Sequence, residues 1–302
     1  MQPDRSNTRT TPRVLTALLL LTLASWPAVA QSGKHGPLFI VGGGTQPKAL
    51  VQEFVNRAAA RQPAHIIVFA MASASGLTSG EAKAEDFRKL GAHARNVWVT
   101  REQADLDSVV RLLDSATGVW FGGGDQNRLI RALRGSKLEK AIYARHAAGA
   151  VVGGTSAGAA VISTMMITGT ELLPGRDTSE AWTRVKRATV QTDTGFTFLP
   201  DAIIDQHFLK RKRQNRLLSL VLADAPHLGA GIDEGTALVV ESNGLWRIMG
   251  ASAVLIVDAR DAARTSATDT VLGASGVRMH LLPDGATFDP KSGKATLQAS
   301  RK

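Results

Sequence analysis

The chain has 302 residues, 36 basic and 26 acidic side chains for a net charge of +10, and no cysteine. The missing cysteines exclude disulfide scaffolds and thiolate metal sites. The basic excess invites nucleic-acid binding, but a single tyrosine and one dense basic cluster, Lys210-Arg211-Lys212-Arg213, offer little to stack bases, so no nucleic-acid partner is expected and the charge suits acidic substrates instead.

The first 30 residues read as a leader. Arg5, Arg9 and Arg13 form a positive stretch, Val14 to Leu23 is apolar, and Ala28-Val29-Ala30 fits the small-x-small cleavage rule. The apolar run is short for a transmembrane helix, and no later run is long enough to span a membrane. Residues 1–30 are therefore expected to be a signal peptide, removed before Gln31, with the mature chain exported to the periplasm or medium and held by no membrane. Without Arg5, Arg9, Arg13 and Asp4 the charge is +8. Residues 31–302 show no internal repeat and no Pro- or Ser-rich linker, and read as a single α/β domain.

Leu38 to Val41 has the apolar continuity of a buried strand, followed by Gly42-Gly43-Gly44 and a helix over Pro47 to Ala60 with Leu50, Val51, Phe54 and Val55 at helical spacing. The glycine run lacks the spacing and the Lys-Ser/Thr of a phosphate loop. His65 to Ala72 predicts a second strand, Glu81 to Leu90 a helix, Val97 to Val99 a third strand and Asp105 to Ser115 an amphipathic helix. Gly118 to Phe121 predicts a fourth strand ending in Gly122-Gly123-Gly124-Asp125-Gln126, with a helix from Arg128. Ala147 to Val152 predicts a fifth, then the small-residue run Gly153 to Gly158 and a helix starting in Ala159 to Met166. Thr168 to Thr197 is polar and irregular and reads as a long loop or flap. Ala202 to Ile204 predicts a strand running into Asp205-Gln206-His207-Phe208, and Lys210 to Ala223 a helix. Gly229 to Ile232 predicts a strand ending in Asp233-Glu234-Gly235. Thr236 to Glu241 and Leu245 to Met249 flank the hairpin signal Asn243-Gly244. Val254 to Asp258 and Gly273 to Leu282 complete the strands, and the tail from Pro283 has little pattern. Strands alternating with helices predict βαβ units and a mostly parallel sheet flanked by helices, with a site beyond the carboxyl ends of the strands.

Gly154-Thr155-Ser156-Ala157-Gly158 is a G-x-S-x-G pattern between strand and helix, the setting of a nucleophile elbow. A serine on so sharp a turn needs small neighbours, and a helix N-terminus there offers free N–H groups to an oxyanion. His207 and Glu234 also end apolar strands, so Ser156, His207 and Glu234 meet the needs of nucleophile, base and orienting acid. Glu171 and Asp205 compete for the acid's role, and His227 or His280 as base would give the order serine, acid, histidine. The N–H groups of Ala157 and Gly124 are the expected oxyanion donors.

With FGGGDQNRL (Phe121 to Leu129), GGTSAGAAV (Gly153 to Val161), IDQHFLKRKRQNRL (Ile204 to Leu217) and GIDEGTALVV (Gly231 to Val240), the chain resembles the cyanophycinases and their dipeptidase E-like serine-peptidase relatives. The resemblance implies a fold like class I glutamine amidotransferase domains, with serine in place of their cysteine, and cleavage of peptides linked through the β-carboxyl of aspartate. It places the nucleophile at Ser156, the base at His207 and the acid at Glu234, with Glu171 as the alternative acid. It further implies substrate contacts from Gln126, Asp205, Gln206, Arg211, Arg213 and Arg216. A β-linked aspartyl residue presents a free carboxylate, which guanidinium forks suit. No metal or organic cofactor is called for, and homodimers are common in such folds. The expected substrate is cyanophycin, cut to β-Asp-Arg; short isoaspartyl peptides are the alternative, and an unrelated exported esterase the rival.

Overall fold

The computed structural model describes residues 35–60, 62–172 and 184–298, together with Met1. The leader expected over residues 1–30 lies outside the described residues, Met1 aside. In chain order the elements are β1 (Leu38–Val41), α1 (Lys48–Ala58), β2 (His65–Phe69), α2 (Gly76–Lys89), β3 (His93–Asn96), α3 (Asp107–Val110), β4 (Gly118–Phe121), α4 (Gln126–Leu133), α5 (Lys137–Ala147), β5 (Val151–Thr155), α6 (Ala157–Ala160) and β6 (Met165–Glu171). There follow β7 (Val190–Thr194), β8 (Ile203–Gln206), α7 (Gln214–Ala223), β9 (Leu228–Ile232), β10 (Thr236–Val240), β11 (Trp246–Gly250) and β12 (Ala253–Asp258). The short strands β13 (Ala263–Arg264), β14 (Ala274–Ser275), β15 (Arg278–Pro283), β16 (Thr287–Asp289) and β17 (Lys294–Thr296) close the chain.

Near-continuous apolar runs in β1, β2 and β4 bury both faces of one large sheet. Phe39, Val41, Ile66, Val68 and Trp120 point to one side, where α1 and α2 supply Phe54 and Phe87. Their sequence neighbours Leu38, Ile40, Ile67, Phe69, Val119 and Phe121 point to the other, against Leu129 and Leu133 of α4 and Ile142 of α5. This is strand alternation with helices on both faces, as a parallel sheet requires.

The sheet order is β17-β16-β11-β10-β1-β5-β4-β2-β3. Only the run from β1 to β3 is parallel. From β1 outward through β10, β11, β16 and β17 every pairing is antiparallel. A second sheet, β15-β12-β9-β8-β6-β7, is parallel only at β6-β8 and β8-β9. The mostly parallel sheet expected from the strand–helix alternation is thus corrected, among the described residues, to a mixed α/β fold with two large sheets and a small two-stranded one, β13-β14. Ile204, Ile232 and Ile256 of the second sheet join the core of the first, while Leu217 and Val221 of α7 cover its other face at Ile203 and Val257.

Several elements differ locally. The helix expected from Ala159 to Met166 is the single turn α6, and the chain is already in β6 at Met165. The expected loop over Thr168 to Thr197 contains the end of β6 and all of β7, which pair antiparallel, and its residues 173–183 lie outside the described residues. The helix expected from Lys210 begins at Gln214, with Lys212 at φ 52° in the turn before it.

These pairings place one edge. The parallel strands β1, β5 and β4 end at Gly42, Ser156 and Gly122, and β8 and β9 end at His207 and Asp233. The two sets meet at the glycine turn, where His207 donates its N–H to the Gly42 carbonyl at 2.6 Å and Gly235 donates to the Gly43 carbonyl at 2.9 Å.

Candidate active site

Ser156 sits between the last residue of β5 and the first of α6, at φ 54° and ψ −114°. A non-glycine residue there costs on the order of 1–3 kcal/mol and persists only where its surroundings enforce it. Here the Ser156 N–H is fixed to the Val41 carbonyl at 3.1 Å, and its own carbonyl accepts from the N–H groups of Ala159 and Ala160 at 2.9 and 3.0 Å. A side chain at Gly158 would strike the backbone of Phe121, which is why the turn is small on that side.

His207 follows β8 at φ 49°, and this left-handed residue breaks the strand's alternation. A regular strand would point Asp205 and His207 to the same side. Instead Asp205 faces Arg216 of α7, while the imidazole reaches Ser156: its Nε2 is 2.9 Å from Ser156 Oγ and its Nδ1 2.6 Å from Glu234 Oε1. Both ring nitrogens are then engaged, with Glu234 in the acid's place rather than Asp205. Glu171 lies on β6, its backbone paired with Val190 of β7. His227 bonds the Val221 carbonyl at the far end of β9, and His280 lies in β15 opposite Ile256, so neither competes for Ser156.

Burial is the main influence on His207 and lowers its affinity for a proton, with Arg211 and Arg213 adding to the effect and Glu234 opposing it. The imidazole is therefore held neutral at neutral pH, the state in which Nε2 can accept the hydroxyl proton. The loop carrying Glu234 is itself pinned. Asp233 accepts from the Lys210 N–H at 2.9 Å and from the Ser252 hydroxyl at 2.7 Å.

The sequence showed the Gly42-Gly43-Gly44 run but not its role. A Cβ at Gly43, whose φ is +107°, would stand 2.5 Å from His207 Nε2 and 2.9 Å from Nδ1. One at Gly44 would stand 2.8 Å from Glu234 Oε2. The backbone lies flat on the imidazole–carboxylate pair, and only glycine permits that approach. Three glycines after a buried strand, without a phosphate-loop pattern, are the signal for it.

The second glycine loop lies beside the nucleophile. The glycine facing Ser156 is Gly123, where a Cβ would lie 3.4 Å from Ser156 Cβ and 3.9 Å from Oγ. Gly124, at φ +135°, turns its Cα toward the backbone of Ala72 and Ser73. Ala157 is the fully buried first residue of α6.

Around this centre Gln126 and Gln206 are nearly buried, Gln126 donating to the Ile167 carbonyl at 2.7 Å. Arg213 donates to the Gln206 carbonyl and side chain at 2.7 and 3.1 Å, and burial, followed by the charge of Arg216, lowers its pKa to about 10. Arg211 is half-buried, its N–H bonded to the His207 carbonyl at 2.9 Å. Asp205 and Arg216 are 0% and 1% exposed as side chains and form a two-point ion pair with each other. They join β8 to α7. Arg213 directly precedes α7, and Arg216 lies in its first turn. Among the described residues no three His, Asp or Glu side chains gather as a metal cage needs.

Residues 38–248 match the sequence pattern of peptidase family S51. A cyanophycinase of Synechococcus elongatus is 32% identical over 268 residues, covering 85% of this chain and 80% of the relative. A cyanophycinase of Nostoc sp. (strain PCC 7120) is 32% identical over 260 residues, covering 82% and 84%. Among solved structures, a peptidase from an acI-B1 Actinobacterium superposes with a TM-score of 0.59 at 23% identity, covering 82% of this chain and 97% of that one. At that identity the likeness speaks for the fold.

Proposed function

The chain belongs to peptidase family S51 and is a serine-type peptidase, and from that premise we propose that it hydrolyses peptides that carry β-linked aspartate, with cyanophycin as the substrate, cut between units so that β-Asp-Arg is released with its own β-linkage intact. The observation that carries the reading is the continuous chain from Ser156 Oγ to His207 to Glu234, at 2.9 and 2.6 Å. The turn at Ser156 acts as a nucleophile elbow on a fold of the class I glutamine amidotransferase kind.

Ser156 Oγ attacks the aspartyl carbonyl that joins neighbouring units as His207 Nε2 takes its proton. Glu234 fixes the imidazole and balances its positive charge. The oxyanion is held by N–H groups of Ala157 and of the Gly123–Gly124 loop. His207 passes the proton to the leaving amine, the C–N bond breaks, and the aspartyl acyl group, its β-linked arginine in place, stays on Ser156. Water attacks this ester with His207 again as base, releasing the free carboxylate and restoring the hydroxyl. Arg211 and Arg213 attract the free α-carboxylate, with Gln126 and Gln206 as polar contacts. The leader over residues 1–30 supports export, so the substrate is met outside the cytoplasm.

The test is release of β-Asp-Arg from cyanophycin by the wild type and by Ser156→Ala. The variant is expected to keep its fold and lose turnover by at least about 10³-fold. A variant with wild-type turnover would contradict the mechanism.

A further inference from the structure

We infer that a cleft at the carboxyl ends of β2 and β3, next to the Gly122–Asp125 loop, binds a neighbouring unit of a β-Asp-Arg chain while one bond is cut at Ser156. The inference rests on the β-aspartyl reading of the site and goes beyond it by giving the enzyme a second hold on a polymer.

The cleft has a volume of about 450 Å³, within the roughly 300–1,000 Å³ of small-ligand sites. Its polar lining includes Arg101, Arg128 and Arg131, with Glu102 as the one acidic side chain, and Trp98 stands at its wall. It shares a wall with the candidate active site. Ser73 lines the cleft, and the Cα of Gly124 faces the backbone of Ala72 and Ser73, while the preceding Gly123 faces Ser156. One short loop therefore separates the two.

The charges in the cleft are incompletely matched. Arg128 and Arg131 each stand 3.9 Å from the same oxygen of Asp125, with side chains 45% and 69% exposed. The other oxygen of Asp125 caps α4 by accepting from the Asn127 N–H at 2.9 Å. One carboxylate thus faces two guanidiniums and a backbone donor, leaving positive charge directed to solvent. Arg101 is oriented by Asp105 at 2.6 Å. Trp98 is 44% exposed and lines the cleft, with its Cδ1 next to Gly76.

Each unit of a β-Asp-Arg chain carries one carboxylate and one guanidinium. Guanidiniums in the cleft bind the first in two-point fashion. The indole face, with Glu102 close by, receives the second as a cation over an aromatic ring. A single dipeptide cleaved at Ser156 has no second unit to place there. The cleft should therefore favour polymer without changing the chemistry of the bond.

The test compares kinetics on cyanophycin and on β-Asp-Leu for the wild type, Trp98→Ala and the double variant Arg128→Gln/Arg131→Gln. All three positions are exposed, and thermal unfolding of each protein checks that its fold is retained. The expected result is a KM for polymer raised on the order of ten-fold in each variant, with kcat on polymer and kcat/KM on the dipeptide within about two-fold of wild type. The charge reversal Arg128→Glu/Arg131→Glu should deepen the loss on polymer alone. An unchanged KM for polymer, or a parallel loss on the dipeptide, would overturn the assignment of the cleft while leaving the β-aspartyl reading in place. A wild type that cleaves neither substrate would overturn that reading and the cleft's role with it.

Discussion

Gly43 lies so close against His207 that a Cβ on it would stand 2.5 Å from the nitrogen facing Ser156. The base is set by the backbone of a loop more than 160 residues earlier in the chain as well as by Glu234. Gly43→Ala should force the imidazole aside. A displacement near 1 Å at a catalytic group costs about 10²-fold in rate. The expected outcome is that loss in kcat with folding retained, read by dipeptide hydrolysis beside a thermal melt. Wild-type kcat would show that the contact does not hold the base.

The pH profile follows from the burial of His207. Burial disfavours the imidazolium and outweighs the opposing effect of Glu234, so the folded pKa lies below the ordinary value of about 6.5. The base works only when neutral. The acid limb of kcat/KM should therefore have its midpoint below about pH 6.5, with activity present above it and lost as pH falls through it. Glu234→Gln removes an influence that raises the pKa, so it should move this limb lower still while reducing kcat by about 10²-fold or more. A limb that moves upward in the variant would contradict the contact between Glu234 and Nδ1.

Asp205 and Arg216 lie together in the core, and each neutralises the other. Removing one partner leaves a buried charge unpaired, at about 3–5 kcal/mol. Arg216→Ala should appear first as lost stability in urea unfolding, whereas Arg211→Ala should raise KM with little change in stability. The double variant Asp205→Asn/Arg216→Met should recover part of the loss seen in Arg216→Ala. Unaltered unfolding of Arg216→Ala would mean that the pair does not join β8 to α7 as described.

What was legible in the sequence divides along physical lines. The Ser156 turn announces itself because strain at a serine demands small neighbours, and those neighbours are written locally. His207 and Glu234 are legible because each follows a short apolar strand. The contact between Gly43 and His207 is not, since a glycine run says that something approaches closely without saying what. The direction of Asp205 was misread because a left-handed residue at a histidine carries no sequence signal, and strand alternation then placed it beside His207 rather than under α7. The polar arm β7 buries only Val190, so it lacks the alternation that marks a half-buried strand, and the segment read as loop. Edge strand β3 is the polar His93–Asn96, while the apolar Val97 and Val99 just beyond it attracted the strand assignment. The antiparallel half of the large sheet was legible at the β10–β11 hairpin, but its outer strands β16 and β17 have three residues each, too short to show a period.

The most direct measurement is release of β-Asp-Arg from cyanophycin by purified protein lacking residues 1–30, beside a β-Asp-Leu dipeptide and a simple ester. Cleavage of the polymer to β-Asp-Arg is the predicted result, and it joins the Ser156–His207–Glu234 chain to its substrate. Cleavage of the dipeptide alone would keep the mechanism and contradict the polymer as substrate. Turnover of the ester alone would contradict the β-aspartyl specificity on which the roles of Arg211 and Arg213 depend.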